Sequence, residues 1–133
     1  MGNLFIDRIY EETLRLLEDA RDYMMHWERR DRYALAMEAR PLLAHESMRM
    51  TARLTSVMSW LLVQRAVDAG EITVYEALTE DYRLLVTSVH TTPLPSACEV
   101  LPARLCRMLE HSQNLFQRVQ RLDQLAVNQH QLH

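Results

Sequence analysis

This chain of 133 residues has a composition typical of α-helical proteins, with 8 methionines but only 2 glycines and 4 prolines, which argues against a turn-rich all-β fold. Its net charge of −3 comes without a basic tract or stripe, so no nucleic-acid partner is expected. No stretch approaches the roughly 20 apolar residues of a membrane span, and no secretion signal follows Met1, so no membrane insertion is expected. We therefore expect a single domain over residues 1–133, located in the cytoplasm.

Apolar residues recur at helical spacing over residues 4 to about 26, which predicts the first long helix. The dense charged segment that follows, residues 28–32, has no apolar periodicity and is predicted to be an exposed connection. A second long helix is predicted over residues 41–69, because Pro41 suits a first helical turn and Gly70 ends the helix.

The remaining part of the chain is predicted to contain one shorter helix and the third long one. Thr73 and Glu76 have the spacing of a capping box, so the shorter helix begins there and ends before a proline-containing loop at 90–96. The last helix follows helical spacing over residues 102–126, and the tail from about residue 127 is expected to fray. The sequence thus predicts an all-α fold, an antiparallel bundle of three long helices plus one shorter helix.

Residues 57–63 are apolar around almost the whole circumference of the second helix. A helix on the surface of a protein needs only one apolar stripe, so this segment is expected to be covered on several sides. The sequence therefore predicts that the second helix is central in the bundle. It also predicts a homodimer, because one small subunit would leave part of this segment uncovered.

The second helix and the turn after it contain four segments that resemble the core motif of the RcdA family of small bacterial proteins: Glu46-Ser47-Met48-Arg49-Met50-Thr51, Arg53-Leu54, Ser59-Trp60-Leu61-Leu62-Val63-Gln64-Arg65-Ala66-Val67 and Gly70-Glu71. Residues 101–105 and 118–123 support the resemblance, which covers most of the chain. It implies a small helical bundle that dimerises. The best-known member of the family is an adaptor that helps the ClpXP protease to degrade selected substrates during the cell cycle. The resemblance therefore implies the ClpXP system and its substrate proteins as partners.

Residues suited to catalysis or metal binding do not form a recognisable pattern. None of the 6 histidines has the spacing of a zinc site, and no glycine-rich phosphate loop is present. Cys98 and Cys106 are expected to be reduced structural thiols. We predict no catalytic residue, no metal site and no cofactor, and therefore a protein that is not an enzyme.

One side of the second helix combines a tryptophan with arginines and a glutamine, within about 80° on the helical wheel. The candidate protein-binding residues are Arg49, Arg53, Trp60 and Gln64. Two interpretations stay open, since tryptophan and arginine dominate interface hot spots, but Trp60 also suits packing beneath a loop with arginines around it. The function predicted first is a non-catalytic adaptor in proteolysis. The alternative is a dimeric helical scaffold or regulatory protein with a different protein partner.

Overall fold

The computed structural model describes residues 3–92 and 96–131. Its helices are α1 (Asn3–His26), α2 (Glu28–Ala34), α3 (Arg40–Asp68), α4 (Val74–Ala77), α5 (Ser88–Thr91) and α6 (Ala103–Gln131). Two 3₁₀ turns, Met37–Ala39 and Ser96–Glu99, complete the secondary structure. No strand occurs in these described residues, and three long helices pack together, so the predicted all-α bundle is confirmed.

The core lies between α1, α3 and α6, and the apolar stripes predicted for these helices supply most of it. Its fully buried members are Leu43, Met50, Leu54, Val57, Leu61, Leu105, Leu109, Leu115, Phe116 and Val119. The predicted central position of α3 is also seen, because α3 contacts both α1 and α6 along its length. Within the described residues, no helix is long and apolar enough to cross a membrane.

The direction of α6 differs from the simple antiparallel order predicted. Asp7, near the start of α1, forms an ion pair with Arg65, near the end of α3, so these two helices run antiparallel. In contrast, Arg53 contacts Ser112 and Trp60 contacts Asp123, so α3 and α6 run in the same direction. We call residues 69–102 the connector. Its described part, residues 69–92 and 96–102, returns along the bundle before α6 begins, and this return gives the parallel order.

The connector replaces most of the shorter helix that the sequence predicts. Gly70, at φ +76°, ends α3, and Thr73 forms the expected capping box, but α4 makes only one turn. Further along, Ser56 and Arg49 of α3 bind the carbonyl groups of Leu85 and Val89. A helical path from Leu85 to Val89 would advance only about 6 Å, whereas Ser56 and Arg49 lie about 10 Å apart along α3. The chain therefore takes an irregular path here.

Three smaller predictions can be compared with the structure. Residues 28–32 belong to helix α2, where Glu28 and Arg32 form an ion pair at 3.5 Å, and are not a plain connection. The second long helix begins and ends within one residue of its predicted limits. Helix α6 continues to Gln131, so the expected tail is helical as far as it is described. Residues 93–95 of the predicted loop and 132–133 of the tail lie outside the described residues.

Candidate functional site

Arg49 forms a buried ion pair within α3 and joins that helix to the connector through hydrogen bonds. Its guanidinium donates to both carboxylate oxygens of Glu46, at 2.8 and 3.0 Å, and the side chain is only 3% exposed. The remaining donors reach the connector, with Nε 2.9 Å from the carbonyl oxygen of Val89 and Nη2 bonded to that of Thr92. Arg49 therefore uses both its charge and its fork of donors inside the protein.

Arg53 lies one turn further along α3 and is fully buried. Its Nε donates to Ser112 Oγ at 3.1 Å, while Nη1 and Nη2 have no acceptor among the described residues. Burial, followed by the nearby charge of Arg49, lowers the pKa of Arg53 to about 10, although Glu46 acts in the opposite direction. The interior of this end of the bundle thus holds Arg49 and Arg53 together with the carboxylate of Glu46.

His90 of the connector lies against the same cluster. Its ring stacks on Phe116, with centroids 5.1 Å apart and planes 6° from parallel, and Nδ1 accepts from the amide of Thr87 at 3.0 Å. Burial lowers the pKa of His90, and the charge of Arg53 lowers it further. A neutral imidazole therefore suits this position better than an imidazolium.

Protonation of His90 should make the protein less stable in mild acid. Since the folded-state pKa of His90 is below its unfolded value of about 6.5, its contribution to stability is complete above that value and is lost as the pH falls. We expect the free energy of unfolding of the wild type to decrease more between about pH 7.5 and pH 5.5 than that of a His90→Gln variant. Urea denaturation across this range measures both, and parallel curves would contradict the prediction.

Trp60 is held by a second polar cluster, closer to the C-terminal end of α3. Its indole Nε1 donates to Asp123 Oδ1 at 3.1 Å, and Asp123 Oδ2 accepts from Arg83 Nη2 at 2.9 Å. One carboxylate of α6 thus satisfies a tryptophan of α3 and an arginine of the connector. With Nε1 occupied, Trp60 can offer only ring carbon to any further neighbour.

The structure places three of the four candidate protein-binding residues in the interior. Arg49, Arg53 and Trp60 are buried and contact α6 or the connector, whereas Gln64 is half-buried. Whether these residues take part in partner binding stays a prediction. Sequence periodicity grouped them on one side of α3, but it gave no sign of Asp123, which binds Trp60 from another helix. The sequence offered one general clue to such a partner, which is that the indole N–H of a buried tryptophan needs an acceptor.

The opposite side of α3 is open to solvent and carries no charged side chain over two-thirds of the helix. We call this surface the α3 open face, and its exposed members are Ala44, Met48, Thr51, Thr55, Ser59 and Leu62. Met48 and Leu62 are both more than half exposed. The apolar circumference predicted for residues 57–63 thus divides in two, because Val57 and Leu61 enter the core while Leu62 faces outward.

Two cavities flank Trp60. The larger, which we call the connector cleft, has a volume of about 450 Å³ and lies between α3 and connector residues 81–90. The smaller, of about 230 Å³, is lined by Phe5, Ile6, Gln64 and Leu122 among others. Trp60 and Gln64 therefore border concave, mostly apolar surfaces even though the indole itself is buried.

Metal-binding and thiol chemistry find little support in the described part of the chain. Over residues 3–92 and 96–131, no group of three or more histidine, cysteine or acidic side chains is placed to hold a metal ion. Cys106 is buried and its Sγ lies 3.6 Å from the carbonyl oxygen of Cys98. Burial raises the pKa of the Cys106 thiol to about 12, which disfavours the reactive thiolate.

Comparison with known proteins identifies relatives for the whole chain. A profile of DUF1465, a family described as proteins of unknown function, matches residues 2–133. Among solved structures, the chain is similar to the crystal structure of RcdA from Caulobacter crescentus CB15, with 36% sequence identity and a TM-score of 0.73. The match covers 91% of this chain and 89% of that one. No curated protein sequence matches. The chain therefore belongs to the RcdA-like family, as the segments of its second helix predicted.

Proposed function

We propose that this protein is a non-catalytic adaptor or regulator of proteolysis, which acts in the cytoplasm and assists ClpXP in degrading selected cell-cycle substrates. The observation that carries this proposal is the similarity to RcdA, at 36% identity over nine-tenths of both chains. At this identity and coverage the fold is shared, and a related role is the simplest proposal.

The distribution of polar groups supports a binding role over a catalytic one. Two of the buried charged side chains, Arg49 and Asp123, are occupied by internal partners that hold the connector against the bundle. The accessible features include the uncharged α3 open face, with Met48 and Leu62 exposed, and the mostly apolar floor of the connector cleft. Surfaces of this kind suit contacts with other proteins.

An adaptor of this type would act through effective concentration. A protein that holds a substrate next to a protease converts capture of the substrate into a nearly intramolecular event, so that weak contacts suffice. No chemical step by the adaptor is needed. The proposal therefore assigns all bond cleavage to the protease and only binding to this chain.

We further propose that the protein is a homodimer formed through the α3 open face. This face is uncharged and contains small residues such as Ala44 and Ser59, which allow two helices to approach closely. An isologous contact would bury Met48 and Leu62 of both subunits at once. The charged residues of α3 that remain exposed, such as Arg65, lie towards its ends and outside this face.

Placing a charge on the α3 open face should separate the subunits. We expect Leu62→Asp to shift the protein from dimer to monomer at micromolar concentration, because each subunit would then bury an unpaired carboxylate at the interface. Sedimentation velocity measures the change. Leu125→Asp is the matched control, since Leu125 on α6 is 54% exposed against 52% for Leu62. A wild-type monomer, or equal effects of both substitutions, would refute this interface.

For Arg49, Arg53, Trp60 and Gln64 we propose a role in partner binding that depends mainly on the shape they give to the surface. Arg49 holds the connector in place, Trp60 lines both cavities that flank it, and Gln64 lines the smaller one. Gln64→Ala is the informative substitution, since Gln64 is half-buried and no hydrogen bond of its side chain would be lost within the described residues. Weaker substrate binding with unchanged stability would support the role.

Reconstituted degradation tests the adaptor function directly. A substrate captured by this protein from native lysate is incubated with ClpXP, with and without the protein, under conditions where ClpXP alone degrades it slowly. We expect the protein to accelerate degradation in a concentration-dependent manner when the other regulators of the system are present. An unchanged rate across the concentration range would refute the adaptor role. In that case a dimeric scaffold with a different protein partner becomes the better account.

A further inference from the structure

We propose that the connector cleft binds an extended peptide segment of a partner protein, in which a bulky apolar side chain is flanked by lysine or arginine residues. The cleft lies between α3 and the connector and is separate from the α3 open face, although Thr55 and Ser59 border both. This inference rests on the proposed binding function and names the chemistry of the partner.

The floor of the cleft is mostly apolar, because two of its polar groups are already occupied. Trp60 Nε1 donates to Asp123, and Ser56 Oγ donates to the carbonyl oxygen of Leu85 at 2.8 Å. Trp60, Val63, Tyr82 and Leu85 offer a ligand ring and aliphatic carbon, while the hydroxyl groups of Thr55 and Ser59 lie at the border with the α3 open face. At about 450 Å³ the cleft has room for one or two large apolar side chains.

The connector segment beside the cleft is acidic. Residues 71–92 contain four carboxylates but only one arginine, Arg83, which is already bound to Asp123. This segment therefore carries a net charge of −3, as large as that of the whole chain. Glu80 and Asp81 are exposed and form no ion pair with any described residue, and Asp81 lines the cleft itself. Charge complementarity thus selects a basic partner.

The backbone beside the cleft favours a peptide over a small molecule. The amide groups of Leu85 and Val86 donate no hydrogen bond within the described residues, and both side chains are exposed. Because neighbouring amides of an extended chain point to opposite sides, an extended peptide would accept from one of these two amides while its alternate side chains enter the cleft. An apolar residue between two basic ones then places its hydrophobic group in the cleft and its charges at the rim.

Fluorescence anisotropy with the full-length protein tests the inference. The probe is a short fluorescein-labelled peptide in which leucine and phenylalanine alternate with arginine, and its comparator has glutamate in place of arginine. We expect the arginine peptide to bind at least about tenfold more tightly than the comparator, and to weaken as salt is added. Equal binding of the two peptides would overturn the proposal.

Two variants with matched controls locate the site. Leu85→Ser should weaken the arginine peptide about fivefold or more, while Leu125→Ser, at a similarly exposed leucine of α6, should leave its affinity unchanged. Glu80→Gln with Asp81→Asn should weaken it about three- to tenfold at low salt, while Glu18→Gln with Asp19→Asn, at exposed acids of α1, should not. Equal losses in variants and controls would place binding elsewhere.

Two further results distinguish peptide binding at the cleft from dimerisation and from the adaptor function. If Leu85→Ser turns a dimeric wild type into a monomer in sedimentation velocity, the occupant is a second copy of the chain and the inference is wrong. Peptide binding needs no protease, so a protein that binds the arginine peptide at the cleft but leaves ClpXP unaffected would refute only the adaptor function. A protein that accelerates ClpXP without binding the peptide would refute only the cleft.

Discussion

Replacing Glu46 by alanine is expected to lower the free energy of unfolding by about 3–5 kcal/mol, because it leaves the buried guanidinium of Arg49 without a carboxylate. Both oxygens of Glu46 accept from Arg49 Nη1, and both side chains are almost fully buried. Arg53 lies close by, and its two terminal nitrogens have no acceptor among the described residues, so the substitution leaves two buried arginine charges without the Glu46 carboxylate. Urea denaturation at one fixed protein concentration gives the free energy, since dimerisation would contribute to it.

Two comparisons isolate the ion pair as the cause. Asp7→Ala removes a carboxylate from the exposed pair with Arg65, at 3.2 Å, and should cost less than about 1 kcal/mol. Combining Glu46→Leu with Arg49→Met removes both buried charges, and should cost less than Glu46→Ala even though two bonds to the connector are lost. A small effect of Glu46→Ala would mean that water reaches Arg49 and that the connector is held loosely.

The long helices were predictable because their signal is local. The spacing of Met50, Leu54 and Leu61 identifies the buried stripe of α3, and Pro41 and Gly70 mark its ends. The same spacing placed Arg49, Arg53 and Trp60 on one side of α3, as the structure has them. Periodicity reports only which residues share a face, and it does not report what covers that face.

What covers the face depends on contacts between residues far apart in sequence. Asp123 is 63 residues from Trp60, and the carbonyl of Val89 is 40 residues from Arg49. From the sequence alone, a single aspartate on α6 is expected to face solvent, and the run Leu84-Leu85-Val86 is expected to be helical. Only the position of the connector beside α3 shows otherwise. The propensity for helix after Thr73 is overridden because the connector must bind α3 at Ser56 and Arg49. The parallel direction of α6 follows from that same return path.

Truncating Trp60 separates the two interpretations of its role that the sequence leaves open. We expect Trp60→Ala to lower the free energy of unfolding by about 3–5 kcal/mol, since it empties a buried site between α3, α6 and the connector. Trp60→Phe should cost about 1 kcal/mol, because the ring is kept and Asp123 retains its bond to Arg83. The control is the same substitution at Trp27, which is 39% exposed and lies under the guanidinium of Arg104.

Partner binding by the same variants then decides whether Trp60 only packs. At a temperature where every variant is folded, we expect Trp60→Phe to bind the arginine peptide about as the wild type does, because the cleft keeps an aromatic wall. Trp60→Ala should bind it more weakly at equal folded fraction, since that wall is lost. Binding by Trp60→Ala that matches the wild type, once the unfolded fraction is subtracted, would make the residue purely a core residue. The partner surface would then lie on other residues of α3 and the connector.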